Sequence, residues 1–303
     1  MANLREIKKR IGSVSTTQQI TRTMEMVATA KIARALQRAK NSEPYSAAIT
    51  DVMLTVATDP ALNVNSPLLV DPETYERALV IAISSDRGLA GGFNMQVERA
   101  AEHRIKHFHR HGAKEVELIT CGRKVTEYFR KYPCKVMGIV GESDDPTLEN
   151  ARVVANYVID GFSQGRFGRV DIVYFHAKNR VEQVLRSERI LPLDDEVLRT
   201  ARGPRANEDE APTRLASPFE FVPSAEHVLD KLIPSYVLTV VHQAMIDSAA
   251  AEQGARRKSM HSATENASAI IADLTRTYNR VRQASITTEI NEIVGGAAAL
   301  EEH

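Results

Sequence analysis

Residues 260–284 read MHSATENASAIIADLTRTYNRVRQA and contain neither proline nor glycine. Apolar or small residues recur in this stretch at alternating steps of three and four positions: Met260, Ala263, Ala267, Ile270, Leu274, Thr277, Val281 and Ala284. This spacing is the heptad seam of a coiled coil, because residues three and four apart lie on one face of a helix. The stretch therefore predicts a helix that packs along its length against a partner helix.

The predicted helix extends well beyond this seam. Proline is absent after Pro234, and Gly254 is the only glycine between that proline and Gly295. About sixty helical residues would reach roughly 90 Å, which is longer than a compact domain. A second apolar run follows the seam but is offset from it: Ile286, Ile290, Ile293, Ala297 and Leu300. The offset predicts that the C-terminal tip of the helix faces a different partner.

The N-terminal region shows the same periodicity. Its apolar stripe consists of Leu4, Ile7, Ile11, Val14, Ile20, Met24 and Val27, and it is followed by small residues that include Ala28, Ala33 and Ala35. Small residues allow a partner helix to approach closely. We expect the two ends of the chain, 1–58 and 224–303, to form an antiparallel coiled coil. The spacing leaves open a coiled coil that serves only for dimerisation.

Between the two ends, the period of the apolar residues changes. Short apolar runs rich in β-branched residues are typical of buried parallel strands, and they occupy 78–84, 116–120, 136–140 and 170–175. Helical patterns lie between them at 94–110, 122–131 and 148–162. After a turn at Lys178 and Asn179, residues 181–190 are expected to return as an antiparallel strand. The alternation predicts an α/β domain at 76–222 with a mostly parallel sheet.

Composition and charge argue against several classes of protein. The chain has 303 residues with 39 basic and 39 acidic side chains, and a net charge of zero argues against a nucleic-acid-binding protein. No stretch approaches the roughly 20 apolar residues of a membrane span. Residues 1–40 carry nine basic and two acidic side chains, whereas 285–303 carry four acidic side chains and neither lysine nor arginine. This asymmetry favours contact between the two ends or with different partners.

No motif forms a catalytic constellation. Residues 84–94, SSDRGLAGGFN, form a glycine-rich turn after the first strand, where α/β folds bind phosphates, but the spacing fits no nucleotide motif. His103, His107 and His111 share a helix face, which suits a tetrahedral zinc site poorly and is interpreted as a solvated basic face. The carboxylate pairs at 144–145 and 194–195 adjoin prolines and are interpreted as turn residues. We expect no catalytic residue, no cofactor and no metal site.

Three blocks of sequence resemble the gamma subunit of F-type ATP synthases, in the order of that family. They are LREIKKRIGSV at 4–14 with QITRTMEMVA at 19–28, SDRGLAGGFN at 85–94, and LTRTYNRVRQASITTEINEIVGGA at 274–297. The resemblance covers nearly the whole chain. It implies a long antiparallel coiled coil of N- and C-terminal helices plus a central Rossmann-like α/β domain.

The resemblance also implies a function. Members of this family are non-catalytic central-stalk rotors, and each turns within a hexamer of alpha and beta subunits. The membrane c-ring drives the rotation, which couples ion flow to ATP synthesis or hydrolysis. The implied partners are the alpha, beta and epsilon subunits and the c-ring, with no nucleic acid.

Individual positions match the motifs of the family. The resemblance implies contact with the beta subunits, and an effect on coupling, at Met24, Asp86, Arg87, Gly88, Leu89, Ala90, Arg256, Arg282, Gln283, Thr287, Glu289 and Glu292. It implies a foot on the c-ring at Phe219, Phe221 and Pro223. Many members of the family carry cysteine at the position of Ala90, and we expect that difference to cost little.

The cellular location follows from the same resemblance. The N-terminus resembles neither a secretory signal nor a transit peptide, and the sequence lacks the redox cysteine pair of the chloroplast form. We therefore expect a peripheral protein on the cytoplasmic side of a bacterial plasma membrane, in a proton-transporting complex. A coiled-coil scaffold or dimerisation protein with an α/β domain is the alternative.

Overall fold

The computed structural model describes residues 4–57, 68, 75–139, 141, 143–193 and 225–301. Contacts divide the chain into two units. The first unit combines Met1–Ala28 with Arg256–His303, and the second unit is Thr29–Ala255. Both divisions fall within the long terminal helices, so each unit contains a part of each helix.

The second unit contains a five-stranded sheet with strand order β3-β2-β1-β4-β5. The strands are β1 (Arg77–Ile83), β2 (Glu115–Cys121), β3 (Val136–Ile139), β4 (Arg169–Ala177) and β5 (Gln183–Leu191). The helices between them are α2 (Phe93–Arg110), α3 (Arg123–Phe129) and α4 (Leu148–Ser163). The strands β1 to β4 run parallel, and β5 pairs antiparallel with β4. The predicted α/β class and the antiparallel return strand are confirmed.

Both faces of the sheet are covered, which explains the unbroken apolar runs of the sequence. In the central strand β1, Leu79 and Ile81 belong to a core that includes residues of α4 and of both terminal helices. Val80 and Ala82 face the opposite way, into a core with residues of α2 and α3. All residues of β1 except the first are buried. A strand with two buried faces needs apolar side chains at every position.

Two long helices lie in the N-terminal and C-terminal regions, as the sequence predicts. They are α1 (Leu4–Ala57), with 54 residues, and α5 (Ala225–Glu301), with 77 residues. Pro44 lies inside α1 and Pro234 lies inside α5, so each helix continues although one backbone donor is missing. Among the described residues, no helix has an apolar stretch of the length that a bilayer requires.

Within the first unit, α1 and α5 run antiparallel. Three side-chain pairs join them: Gln18 with Ser268 at 2.7 Å, Thr21 with Thr264 at 2.8 Å, and Glu25 with His261 at 3.0 Å. Residue numbers rise along α1 as they fall along α5. The partner that the heptad seam of α5 requires is therefore α1 of the same chain.

The buried seam on α1 lies one position away from part of the predicted stripe. Ile20 and Val27, which the stripe includes, are 55% and 53% exposed. Thr21 and Ala28 are buried in their place. The prediction was wrong at Ile20 because a small polar side chain, Thr21, enters the seam and bonds to Thr264, whereas a search for hydrophobic residues passes over it. It was also wrong at Val27, while the burial of Ala28 agrees with its place among the predicted small residues.

The seam on α5 departs from the prediction in a similar way. Met260 and Ala267 are buried as expected, but Ile270 is 49% exposed, and the next residue, Ile271, is partly buried instead. Beyond the seam, the offset apolar run leaves large side chains exposed, with Ile290 at 53% and the adjacent pair Ile293 and Val294 at 71% and 62%.

Candidate functional site

The loop between β1 and α2 is organised by a carboxylate that turns inward. Asp86 Oδ1 accepts hydrogen bonds from the backbone N–H of Arg123 at 2.8 Å and of Gly141 at 3.1 Å. Asp86 Oδ2 accepts a hydrogen bond from the backbone N–H of Ser143 at 3.0 Å. The N–H of Asp86 in turn donates to Ser143 Oγ at 2.9 Å. One side chain thus ties the end of β1 to the segments that follow β2 and β3.

The Asp86 carboxylate takes the position that an α/β fold can offer to a bound anion. It contacts the N–H of Arg123, the first residue of α3, and backbone N–H groups at a helix start favour negative charge. Burial disfavours the charged form, but hydrogen bonds from the N–H groups of Ser143, Gly141 and Arg123 outweigh it, so the pKa of Asp86 lies below its usual value. The Asp86 carboxylate therefore occupies the backbone N–H groups that could otherwise bind an external anion.

A cavity beside this loop is too small for a nucleotide. Its wall includes Ser84 and Cys121 at the ends of β1 and β2, and Met245 and Ser248 of α5. Its volume is about 30 Å³, which is room for about one water molecule. Burial raises the pKa of the Cys121 thiol to about 12. In this chain α5 covers the crevice at the strand ends where open α/β sheets commonly bind ligands.

The predicted contact residues of this loop divide into two groups. Arg87, Gly88 and Leu89 are exposed, whereas Ala90 is only 2% exposed and packs into the core beside α2. Asp86 is partly buried and hydrogen-bonded as described above. The structure therefore presents three consecutive residues to the outside and turns their two neighbours inward.

Leu89 is held in an unusual backbone conformation. Its φ is +66°, and its side chain is 61% exposed. The left-handed region costs a non-glycine residue about 1–2 kcal/mol. Hydrogen bonds on either side hold the loop, since the N–H of Ser85 donates to Asn94 Oδ1 at 3.0 Å and Ser85 Oγ lies 2.5 Å from the carbonyl of Arg87. An apolar side chain is thus held outward at the tip of a well-bonded loop.

The segment at 143–145 joins this region to both terminal helices within the second unit. Asp144 Oδ2 lies 2.8 Å from Lys31 Nζ of α1, and Asp144 Oδ1 accepts a hydrogen bond from Gln253 Nε2 of α5 at 2.7 Å. Asp145 pairs with Arg38 of α1. The sequence interpretation treated these carboxylates as turn residues and missed their contacts. Only the excess of basic residues in α1 signalled that an acidic partner was needed.

In the first unit, the third sequence block forms an exposed face of α5. All of its predicted contact residues are exposed: Arg282, Gln283, Thr287, Glu289 and Glu292. The Thr287 hydroxyl donates to the carbonyl of Gln283 at 2.9 Å, so that hydroxyl is satisfied within the helix. The eleven positions from 282 to 292 thereby offer charged and amide groups to solvent.

The other two predicted residues of the first unit are less exposed. Met24 is partly buried on α1, and Arg256 on α5 is 8% exposed. The neighbour of Met24, Glu25, lies 3.0 Å from His261 Nδ1, and His261 Nε2 lies 3.3 Å from Glu265. This small cluster, a histidine between two glutamates, escapes a local pattern because it joins residues more than 230 positions apart in the chain.

Phe219, Phe221 and Pro223, the predicted foot on the c-ring, lie outside the described residues. Of the three histidines predicted to share a helix face, His103 and His107 lie on α2 and His111 is the residue that follows it. The rings of His107 and His111 are tilted by 35°, with their centroids 4.0 Å apart. Burial and the nearby charges of His111 and Arg104 lower the pKa of His107. Within the described ranges, no group of three or more histidine, cysteine, aspartate or glutamate side chains could hold a metal ion.

Three solved structures with similar folds come from mitochondrial ATP synthases. A chain from the central stalk and c-ring of the Tetrahymena thermophila enzyme matches with 21% identity and a TM-score of 0.59, over 80% of this chain and 99% of that one. A chain of the Euglena gracilis enzyme, from its OSCP, F1 and c-ring assembly, matches with 18% identity and a TM-score of 0.64, over 98% of this chain and 94% of that one. A chain from the rotor of the Euglena enzyme matches with 18% identity and a TM-score of 0.59, over 93% of this chain and 98% of that one.

At these identities, the matches establish a shared fold. The family comparison goes further, because the model of the family described as ATP synthase matches residues 3–300. That range includes α1, all of α5 but its last residue, the five-stranded sheet and all three sequence blocks. The chain therefore belongs to the gamma-subunit family of ATP synthases.

Proposed function

We propose that this chain is the central-stalk rotor subunit of an F-type ATP synthase. It couples rotation of the c-ring, driven by an ion gradient, to ATP synthesis or hydrolysis in the hexamer of alpha and beta subunits. It is a non-catalytic subunit of that complex. The observation that carries the proposal is the antiparallel pairing of α1 and α5 within one chain. Because this pairing fills the seam internally, a scaffold that dimerises through the same seam is disfavoured.

A rotor of this kind acts through differential contact. A pair of unlike helices has no threefold symmetry, so three surrounding beta subunits meet three different faces of it. Contacts that favour one conformation of a beta subunit over another shift the population of that subunit. Rotation changes which subunit meets which face, and the affinities of the three sites change in turn.

We propose direct contact with the beta subunits at the exposed residues on two surfaces. The first surface is the loop of Arg87, Gly88 and Leu89, and the second is the α5 face with Arg282, Gln283, Thr287, Glu289 and Glu292. Met24 belongs to the same proposal, since it is partly exposed. The proposal also includes Asp86, Ala90 and Arg256. These residues are less exposed, and they are among the positions that match the motifs of the family.

The proposal extends to the organisation and surroundings of the chain. The terminal helices are assigned to 1–58 and 224–303, and the Rossmann-like domain to 76–222. Phe219, Phe221 and Pro223 are proposed as the foot on the c-ring, and the epsilon subunit is proposed as a further partner. The complex is proposed to transport protons and to place this chain peripherally on the cytoplasmic side of a bacterial plasma membrane. The support is membership of the gamma-subunit family.

Reconstitution tests the proposal. The purified chain alone is expected to hydrolyse no ATP. Mixed with purified alpha and beta subunits, it is expected to raise their ATPase activity, and a bead attached to the second unit is expected to rotate. A mixture of alpha and beta subunits without the chain is the matched control.

Two results would contradict this function. One is ATP hydrolysis by the isolated chain, and the other is a correctly folded chain that neither joins the alpha and beta subunits nor rotates among them. Sedimentation of the isolated chain tests the scaffold alternative, which requires a stable dimer, whereas the internal seam predicts a monomer.

A further inference from the structure

We propose that Asp86 is a positioning residue. Its carboxylate fixes the 143–145 segment, and that segment holds α1 and α5 in place beside the sheet within the second unit. Where the consequence concerns coupling in the assembled enzyme, the inference rests on the proposed rotor function. Asp86 then acts through the helices as well as through any contact of its own loop with a partner.

The first step is the bond between Asp86 and the segment. The two residues Asp86 and Ser143 exchange two hydrogen bonds, from Ser143 N–H to Asp86 Oδ2 at 3.0 Å and from Asp86 N–H to Ser143 Oγ at 2.9 Å. Gly141 adds a third at 3.1 Å. The strand that precedes the segment, β3, has only four residues and lies at the edge of the sheet. The sheet itself therefore does little to hold the segment, and among the described residues the hydrogen bonds of Asp86 tie it to the end of β1.

The second step is the bond between the segment and the helices. Asp144 directly follows Ser143, and one carboxylate meets both helices, with Lys31 at 2.8 Å and Gln253 at 2.7 Å. Hydrogen bonds of this length weaken steeply when the atoms separate by much more than half an ångström. Since Asp144 is one residue from Ser143, a shift of Ser143 would separate Asp144 from its partners.

The energies involved point to positioning rather than to stability. The helices are already attached to the sheet by apolar residues such as Met53, Ile233 and Tyr236, which are buried. Partly exposed ion pairs such as Lys31–Asp144 typically contribute little to the free energy of unfolding. Apolar burial thus decides whether the helices attach to the sheet. The directional hydrogen bonds of Asp144 fix where each helix lies along the sheet and how it is rotated about its own axis. Position is what a subunit that transmits rotation must preserve.

The substitution Asp86→Asn is a specific probe of this arrangement. The amide oxygen of asparagine could still accept from Arg123 and Gly141. Its amide nitrogen would then face the N–H of Ser143, so two donors would meet and that hydrogen bond would be lost. The volume of the side chain is nearly unchanged. Ser143→Ala is a second variant, since it removes the Ser143 hydroxyl, which accepts from the N–H of Asp86 and also interacts with its carboxylate, and it keeps the N–H of Ser143.

In the isolated chain, hydrogen exchange tests the first step. Asp86→Asn is expected to speed exchange at the amide of Ser143 by tenfold or more, and Asp144→Asn is expected to leave this amide unchanged. Unaltered exchange in Asp86→Asn would overturn the proposal. This measurement does not depend on the proposed function.

In the assembled enzyme, the ratio of protons pumped to ATP hydrolysed tests the second step. Asp86→Asn and Asp144→Asn are each expected to lower this ratio several-fold, and the double variant is expected to lower it no further than the stronger single variant, because both act on one path. Asp273→Asn is the matched control, since that exposed carboxylate pairs only with Arg276 on its own helix among the contacts described, at 2.6 Å.

The outcomes separate the two ideas. Multiplicative effects of Asp86→Asn and Asp144→Asn, or an Asp144→Asn variant with full coupling, would overturn the positioning role while leaving the rotor function intact. Failure of the unaltered chain to couple would overturn the rotor function. In that case the exchange measurement still decides whether Asp86 holds the segment.

Discussion

The hydroxyl groups of Thr21 and Thr264 lie 2.8 Å apart across the seam between α1 and α5. Each hydroxyl also lies near a carbonyl of its own helix, with Thr21 at 3.0 Å from the carbonyl of Gln18 and Thr264 at 2.9 Å from that of Met260. When one threonine donates across the seam, the other donates within its own helix. The pair is therefore fully hydrogen-bonded although Thr21 is buried.

This pairing predicts a compensating pair of substitutions. Thr21→Val is expected to lower the free energy of unfolding by about 0.5–1.5 kcal/mol, the usual contribution of one hydrogen bond. The double variant with Thr264→Val is expected to recover most of that loss, since two apolar groups of the same shape replace both partners. Urea denaturation measures the three values. The arrangement would be contradicted if the free energy of unfolding that the double variant loses equalled or exceeded the sum of the losses in the two single variants.

Two glycines are predicted to differ sharply in their tolerance of alanine. At Gly122, φ is +107° and a Cβ would lie 2.4 Å from the backbone carbonyl oxygen of Ser84, so we expect Gly122→Ala to destabilise the chain by about 3 kcal/mol. At Gly254, inside α5, a Cβ would meet the flexible end of Gln183 at 2.5 Å. That side chain can move, and alanine favours the helix by up to about 1 kcal/mol. We expect Gly254→Ala to be neutral or slightly stabilising in thermal unfolding, and a large loss there would show that Gln183 cannot move.

Asp86 is predicted to contribute to stability in a pH-dependent manner. Its pKa is lower in the folded chain than in the unfolded chain, because backbone N–H groups favour the carboxylate. The stabilisation is therefore fully present above the unfolded pKa of about 4, and it is lost as the pH falls through the folded pKa. The difference in unfolding free energy between the unaltered chain and Asp86→Asn should be constant from pH 5 to 7. It should shrink as the pH falls below about 4. A difference that stays constant down to pH 2 would contradict this assignment.

Leu89 allows its backbone and its side chain to be tested separately. Leu89→Gly is expected to leave stability unchanged or to raise it by up to about 1 kcal/mol, because glycine adopts a φ of +66° without strain. Leu89→Ala keeps the strain and removes the exposed side chain. If the side chain contacts a beta subunit, both variants should reduce coupling by a similar factor. Reduced coupling in the glycine variant alone would point to the backbone instead.

Arg282 is predicted to matter only in the assembled enzyme. Arg282→Glu reverses an exposed charge on α5, so the melting temperature of the isolated chain should change by no more than 1–2 °C. Coupling between proton pumping and ATP hydrolysis should weaken, as should coupling after loss of Gln283. The matched control is Arg276→Glu, six positions away on the same helix and also exposed. Full coupling in the Arg282 variant would remove this residue from the contact surface.

The sheet was predictable from the sequence because its signal is local. Residues 78–84 formed an unbroken apolar run, and the strand observed is Arg77–Ile83. The two buried faces of β1 require such a run, and no distant residue alters that requirement. The helical patterns were equally clear, and α4 (Leu148–Ser163) even begins with a capping threonine, Thr147, whose side chain accepts from the N–H of Asn150.

The seam and the clustered carboxylates were less predictable, since their meaning depends on a partner far along the chain. Thr21 is polar, and only the presence of Thr264 opposite makes its burial favourable. Asp144 and Asp145 have the local character of a turn, and their partners Lys31 and Arg38 precede them by 113 and 107 positions. The pattern of residues along the chain does not show which distant side chains will meet in the fold.

The carboxylate of Asp86 has a consequence for how nucleotide levels affect this protein. The loop after β1 places the carboxylate of Asp86 at the carboxyl ends of the strands, where other open α/β sheets bind the phosphate of a ligand. Its conformation is therefore complete whether ATP is abundant or scarce in the surroundings. A subunit proposed to turn among nucleotide-binding neighbours thus keeps this loop in one conformation whatever their occupancy, because a single side chain occupies the place of a ligand.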